Sequence, residues 1–503
     1  MSSVKDIVQF LIGKKIVVPV KVISVLTRKE KNDVDILYNE LQNKNEEEIK
    51  KIIEDMCQEK RMEQQNNGVN GAIHDSQTTE PTREGTVSII VNHTMKEVSK
   101  SVQDFVSYFN SRYKTLEKML RNRQELSGVT AIKRVAQKDE REQVAIIGIV
   151  KKKDETKNGN IIFTLEDATG EIKVLASKEK KEVFDPAKSV VLDEVIGIVG
   201  VSGKGIIFGE KIIWPDIPVY NELKKSPVEE YALFLSDIHV GSKQFLGASF
   251  DKFIKWINGD LGSQKQKDMV KKVKYIFIVG DVVDGVGIYP GQENDLEILD
   301  IYEQYKMCAG LLHKIPKHIK IIMSPGNHDA MRLAEPQLPF YEDMAKPLYE
   351  ITNAIIVSNP AIVNIGEQEG FPGLNVLMYH GYSFDYYIAN VDEIRNNGGY
   401  DRADLVMKFL LQRRHLAPTH ASCLYIPFAD DDPMVIGKIP DIFATGHLHK
   451  TSVSSYRNIT LICGSCWQGK TAFQEKMGHN PEPARVPLVN LQTREVKILR
   501  FME

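Results

Sequence analysis

In the stretch ALFLSDIHVGS (232–242) an apolar strand runs straight into Ser236, Asp237 and His239. This pattern, repeated along the chain, constrains the fold most. Side chains at i and i+2 of a strand point to the same side, so Asp237 and His239 are expected to converge on one object just beyond the strand's carboxyl end. Alone, a D-x-H is more often a capping or ion-paired Asp beside a surface His, so its partners decide. The strand YALFLS is followed by a helix from about 249, the strand YIFIVGD, a helix near 296–314 and the strand IKIIMSPGNHD. Strands alternating with helices imply an α/β layer structure. Beyond 350 the strands crowd, from AIIVSNPAIVNI to EVKILRFM. A sandwich of two sheets with helices outside accommodates both halves.

At 503 residues the chain exceeds one ordinary core, and about two to four domains are expected. Hydrophobic residues at 42% and charged residues at 26% describe a globular protein. No apolar run reaches the length of a bilayer span, and MSSVKDIVQFLIGKK lacks the layout of a secretory leader. The five scattered cysteines make no disulfide framework and fit a reducing cytoplasm. With a formal charge of −3, any nucleic acid must be held by local basic patches.

The overall expectation is a multidomain α+β chain. Residues 4–57 carry helix-like apolar spacing around a short β-branched run, and read as a small helical domain over 1–60. The Gln-, Asn-, Thr- and Gly-rich stretch at 63–85 reads as a flexible linker, drawn over 61–100 in all. Apolar residues at 102, 105, 106, 109, 113, 116 and 120 mark one face of a long helix over 102–126. From 143 to 213 five short strands with Gly-rich turns suggest a small barrel of OB-fold type, giving a helix-plus-barrel domain over 101–220. Lys151, Lys152 and Lys153 on its first hairpin either meet phosphates or form a solvated tip. Residues 221–503 are the α/β sandwich.

Within that sandwich each strand end delivers a polar residue. YIFIVGDVVDG supplies Asp281 and, three residues on, Asp284. IIMSPGNHDA supplies Asn327, His328 and Asp329, VLMYHG supplies His380, and DIFATGHLHK supplies His447 and His449. Carboxylate, imidazole and amide oxygen suit Mn²⁺, Fe²⁺ or Zn²⁺, and no thiolate joins them. Two Asp, one Asn and four His, with a further Asp–His pair beside them, exceed the needs of one ion and suit two, about 3.5–4 Å apart. Such a pair makes water nucleophilic near neutral pH and clamps phosphate oxygens, so the reaction class is metal-assisted phosphoester hydrolysis.

D-x-H, G-D-x-x-D, G-N-H-D, a His before Gly and G-H-x-H, in this order, resemble the calcineurin-like metallophosphoesterase superfamily over about 232–460. The resemblance implies Asp237, His239 and His449 on one metal, Asn327, His380 and His447 on the other, and Asp281 bridging. It also implies that His328 protonates the leaving oxygen and stabilises charge on the phosphate, oriented by Asp284. Mn²⁺ is the expected ion, with Fe²⁺ or Zn²⁺ as alternatives.

An OB-like barrel directly before such a domain resembles the small, or B-type, subunits of replicative DNA polymerases. The helix carrying RYKTLEKMLRNRQEL and the segments LLQRRHLAPTH (410–420), IPDIFATGHLHKT (439–451), GSCWQGKTAFQ and NPEPARVPLVNLQT (464–493) agree. Over about 100–503 they resemble the small-subunit family of archaeal family D DNA polymerases. The eukaryotic B-type subunits share the architecture but have lost metal ligands, whereas this chain keeps the set. The resemblance implies a 3′→5′ exonuclease that proofreads DNA as partner of a large polymerising subunit, in the cytoplasm and without membrane association. Two other readings are a stand-alone metallophosphatase and a non-catalytic scaffold for the large subunit.

Several features stay open. Cys463 and Cys466 read as strand-end core cysteines rather than a zinc or redox pair. Arg413, Arg414 and His415 lie along a DNA path, against a partner, or at a solvated helix end. SQKQKDMVKKVK (263–274) reads as surface, and Trp467 and Gln468 belong to a subunit interface or to the core.

Overall fold

Apolar side chains on both faces of a strand need a packed layer on either side, and the structure, a computed structural model, supplies both. It describes residues 83–84, 87–94, 100–428, 431–476 and 478–502. The chain divides into two units, Met1–Thr79 and Glu80–Glu503, and all described residues belong to the second. The helical domain expected over 1–60 therefore lies outside the described residues.

Two strands, β1 (Arg83–Glu84) and β2 (Val87–Val91), precede a helix over Val102–Arg121. The next five are β3 (Gln143–Glu155), β4 (Ile161–Asp167), β5 (Gly170–Ala176), β6 (Val195–Gly203) and β7 (Ile206–Ile213). They close a barrel in the order β3-β4-β5-β7-β6, with β5 and β7 parallel and the other pairs antiparallel. Inward residues such as Ile146, Phe163, Val174, Ile198 and Ile207 fill it. Leu116 and Leu120 of the long helix pack on its outside with Leu126, Ile147 and Ile213. Two hairpin lysines are neutralised locally, Lys151 by Glu166 and Glu171 and Lys152 by Asp154, and Lys153 donates to the Lys188 and Val190 carbonyls.

The sandwich uses β8 (Tyr231–Leu235), β9 (Val273–Val279), β10 (Lys320–Ser324), β11 (Ala354–Ile356), β12 (Ala361–Ile365) and β13 (Leu374–Met378). It continues with β14 (Ile442–Thr445), β15 (Ser452–Tyr456), β16 (Ile459–Cys463), β17 (Arg485–Asn490) and β18 (Val496–Arg500). One sheet runs β11-β10-β9-β8-β17-β18 and the other β1-β2-β12-β13-β14-β16-β15. Alternation explains the all-apolar strands. Leu233 and Leu235 of β8 and Ile276 and Ile278 of β9 turn towards the helices, among Phe250, Phe253, Tyr305 and Leu312. Their neighbours Phe234, Phe277 and Val279 turn between the sheets and meet Val376, Met378, Ile442 and Ile462. Parallel pairing of β8 with β9, β9 with β10, and β13 with β14 brings carboxyl ends to a common edge, where open α/β sheets place their ligands.

Three expectations are corrected. Val87–Val91 is not linker: VSIIV pairs antiparallel with β12, and Val87 is buried between the sheets. Its apolar β-branched residues prefer a strand to the polar stretch before them. The strand β15 was not expected, because at this edge SVSSY buries little. Arg413, Arg414 and His415 lie neither on a DNA path nor at a solvated helix end, for all three are buried.

Two buried arginines, Arg413 and Arg112, hold the barrel and its helix to the sandwich. Arg413 Nε faces Glu194 at 2.8 Å and its Nη2 donates to the Ser189 carbonyl at 2.7 Å. Arg112 of the long helix reaches Asp432 at 2.6 Å and donates to the Pro418 carbonyl at 2.7 Å. His415 lies 2.8 Å from the same Asp432 oxygen. Burial opposes the charge on Asp432, but Arg112 and His415 outweigh it and hold its carboxyl well below the ordinary 3.8. Its contribution is therefore complete above that pH and weakens only as pH falls below it. Asp432→Ala should leave Arg112 buried without a counter-charge and remove about 3–5 kcal/mol of stability, read by urea denaturation. Lys152→Ala on the exposed hairpin should leave the same transition unmoved.

Candidate metal centre

The strand β8 ends at Leu235, and Asp237 and His239 do not continue it. Both adopt left-handed backbone, with φ of 50° and 53°, as do Asp281 (53°), His447 (70°) and His449 (54°). The side chains converge as expected, but through tight turns rather than through one face of an extended strand. Non-glycine residues avoid this region by about 1 kcal/mol or more each, so the turns must be held. Asp237 N–H donates to the Gly280 carbonyl (3.0 Å), His239 N–H to that of Asp281 (3.1 Å) and Trp467 N–H to that of Asp237 (2.8 Å). His447 N–H donates to the Asp237 carboxylate at 3.0 Å.

Asp329 is the clasp of this arrangement. Its buried carboxylate accepts from the backbone N–H groups of Asp281 (2.9 Å), Val282 (3.1 Å), Val283 (3.2 Å) and Gly326 (2.8 Å). The loops after β9 and β10 are thereby locked together. The approach is so close at Gly326 that a Cβ there would sit 2.6 Å from the Asp281 nitrogen.

The expected ligands gather in overlapping groups. Asp237, His239 and His449 form one and Asp237, Asp281 and His380 another, each with ligand atoms within 4.8 Å of one another. His239 Nε2 lies 3.1 Å from His449 Nε2 and 3.9 Å from both Asp237 Oδ1 and Asp281 Oδ2. His380 Nε2 lies 3.1 Å from Asn327 Oδ1 and 3.2 Å from Asp281 Oδ2. Its Nδ1–H donates to the Val279 carbonyl at 2.9 Å, which fixes the ring. His447 stands apart from these groups. Its Nε2 faces Asp385 Oδ2 at 2.9 Å, which leaves Nδ1 as the ring atom open to another partner, and its ring centre is 5.3 Å from that of His380.

Asp284 reaches His328 through its backbone rather than its side chain. Its carboxylate is engaged by His239 Nδ1 at 2.8 Å and Gln468 Nε2 at 3.0 Å, and stands 3.9 Å from His328 Nδ1. It is the Asp284 carbonyl that accepts from His328 Nδ1–H, at 2.8 Å. This leaves Nε2 without a hydrogen-bond partner among the described residues, on a side chain 20% exposed.

Electrostatics divide the histidines. Burial disfavours the His380 cation, yet Asp281 and then Asp237 outweigh it and raise its pKa to about 10. Burial likewise opposes the Asp281 anion, but His380, His328 and His239 hold its carboxyl well below the ordinary range. At His328 burial prevails over Asp281 and Asp284, and its pKa falls below 6.5.

Several supporting residues escaped the sequence reading, apart from Gln468, which it assigned to a subunit interface or the core. Gln468 also donates to Ser242 (2.8 Å), Gln292 Nε2 donates to the Asp284 carbonyl (2.9 Å), and the Gln474 amide lies 2.9 Å from His449 Nδ1. Gln468 and Gln474 stand in the quoted GSCWQGKTAFQ, but a neutral amide there carries no metal signature. Asp385 follows no motif at all. Cys463, Cys466 and Trp467 are buried.

A family model for the B-type subunit of DNA polymerases alpha and epsilon matches residues 232–454. The DNA polymerase II small subunit of Pyrococcus furiosus is 40% identical over 416 residues, covering 82% of this chain and 66% of its own. That of Methanothermobacter thermautotrophicus is 39% identical over 403 residues, covering 80% of each. The chain spans just under two thirds of the Pyrococcus relatives it matches, 64–66% of their length. Among solved structures, a protein described as a novel archaeal phosphodiesterase aligns with 54% of this chain and 98% of its own, at 13% identity and a TM-score of 0.27. With such identity sustained over four fifths of both chains, this chain belongs to the DNA polymerase II small-subunit family.

Proposed function

We propose that the chain is a two-metal 3′→5′ exonuclease acting on DNA, working beside the large subunit of a DNA polymerase. In this reading residues 101–220 are a helix and OB-fold barrel, and 221–503 a calcineurin-like phosphoesterase sandwich. The observation that carries it is the donor set. His239 Nδ1–H is held by Asp284, so its Nε2 presents a lone pair, and that lone pair faces His449 Nε2 and two carboxylates. His380 Nε2 faces an amide oxygen and a carboxylate in the same way. Electron-pair donors gathered face to face need a cation between them. In the metal-free protein a proton on His380 serves, which its raised pKa expresses.

Asp237, His239, Asp281 and His449 would hold one ion, and Asp281, Asn327, His380 and His447 Nδ1 the other. Two divalent cations held there would supply a nucleophile from water and positive charge for phosphate oxygens. The chain's own contribution centres on His328. The Asp284 carbonyl holds Nδ1–H, so Nε2 is the atom offered to substrate. A phosphate anion beside it favours the imidazolium, so the ring takes up a proton as substrate binds and passes it to the leaving oxygen. Asp284 serves both steps, orienting His239 by its carboxylate and His328 by its carbonyl. Relatives named as DNA polymerase II small subunits support DNA as the substrate and a large subunit as the partner.

His328→Ala should retain the metal content of the wild type and lose about 10²–10⁴-fold in rate on a 5′-labelled single strand with Mn²⁺. A ladder shortening from the 3′ end, absent with chelator, is the expected wild-type product. Metals bound with no cutting, alone or with the large subunit, would leave the chain a scaffold. Mn²⁺ binding should also release protons, because His380 must give up its own. In chelated protein the raised pKa contributes stability that is complete below the unfolded value of 6.5 and is lost as pH climbs to about 10. Asp281→Asn should abolish that loss, followed by thermal denaturation across the same range.

A further inference from the structure

On the His447 and His449 side of the centre stand three rings that the chemistry above leaves unused. Asp385, which faces His447 Nε2 at 2.9 Å, has the Tyr400 hydroxyl as a further hydrogen-bond neighbour. The Tyr400 ring lies against His479, with centroids 4.3 Å apart and planes at 40°. His479 N–H donates to the Gln474 carbonyl at 2.8 Å, and the Gln474 amide touches His449 Nδ1. The pair is thus tied through one residue to His447 and through another to His449. Tyr382 places a third ring 6.0 Å from His447. Tyr382, Tyr400 and His479 are all half-buried, whereas His239 and His380 are fully enclosed. Lys470, beside this rim, bonds the neutral Asn480 side chain at 3.1 Å, and among the described residues no carboxylate pairs with it.

We propose that Tyr400 and His479 form a stacking platform for the unpaired base of the nucleotide being removed. The inference rests on the nuclease reading and narrows its substrate to frayed or single-stranded ends. An enzyme that trims any sequence needs a grip indifferent to base identity, and aromatic faces provide one because every base has a π-face. A base inside a duplex is already stacked and paired, so a half-buried aromatic platform rewards ends that have come apart. Lys470 would meet the backbone phosphates of the same strand.

The test uses the full chain and a single strand ending in 3′-terminal 2-aminopurine, with chelator present so that nothing is cut. Wild type should quench the terminal fluorophore on binding. Tyr400→Leu and His479→Leu should lose most of that quenching, and Tyr400→Phe, which keeps the ring, should retain it. With Mn²⁺, the wild-type KM should be lower for a natural 3′ end than for an abasic one by about 5-fold or more. In the Leu variants that ratio should fall towards one, with metal content unchanged. Cutting that depends on His328 but shows the same quenching and KM ratio in the Leu variants would overturn the platform and leave the nuclease standing. A wild type that neither binds nor cuts the strand would remove both.

Discussion

Five of the seven residues proposed as metal donors hold a backbone conformation that L-amino acids avoid, and the centre depends on that constraint being paid for by its surroundings. A left-handed residue directly after a strand reverses the chain within one or two positions, so a short side chain such as Asp can reach the point where several strand ends meet. The Asp329 carboxylate, with four backbone N–H donors, and the carbonyls of Gly280 and Asp281 keep the turns from relaxing. Such strain persists only where neighbouring structure over-determines it. A carboxyl group carries two oxygens that accept from several backbone N–H groups at once, which suits a buried Asp to this task.

The α/β alternation, the five-stranded barrel and the gathering of polar strand ends were legible because each leaves a local trace: continuous apolar runs, Gly-rich turns, or a ligand residue after a strand. Backbone hand leaves none outside glycine, so the pattern alone puts Asp237 and His239 on one strand face, whereas they occupy turns. The division of labour within Asp284 was likewise hidden. A motif specifies a carboxylate three residues after Asp281, but whether its carbonyl or its side chain meets His328 depends on where the next loop falls. The supporting roles of Gln468, Gln474 and Asp385 escaped because their partners lie in distant loops, and a neutral amide or an isolated acid carries no periodic signal.

The basic stretch at 413–415 teaches the same lesson from the other side. Three cationic or titratable residues in a row look like a surface patch, and charge runs usually are. Here each is buried against an acid or carbonyl supplied by a distant segment, Arg413 by Glu194 of the barrel and His415 by Asp432. Arg112 meets that same Asp432 from 320 positions away. Pairing of this kind adds little net stability over an apolar contact, yet it is unforgiving of misplacement. It suits a junction whose task is to set the angle between two bodies rather than to hold them by area.

The strand Val87–Val91 carries a further consequence. It lies between β1 and β12 in the seven-stranded sheet and pairs with β12 along its length. A version of the chain trimmed to begin at the long helix would strip that neighbour away. The outer row of amide and carbonyl groups on β12 would then be bare, above apolar residues such as Val363 and Ile365. Bare edges of that kind recruit other strands, including those of a second molecule. Solubility would then hang on the loss of a five-residue strand that stands before the helix, the barrel and the loops of the candidate metal centre alike.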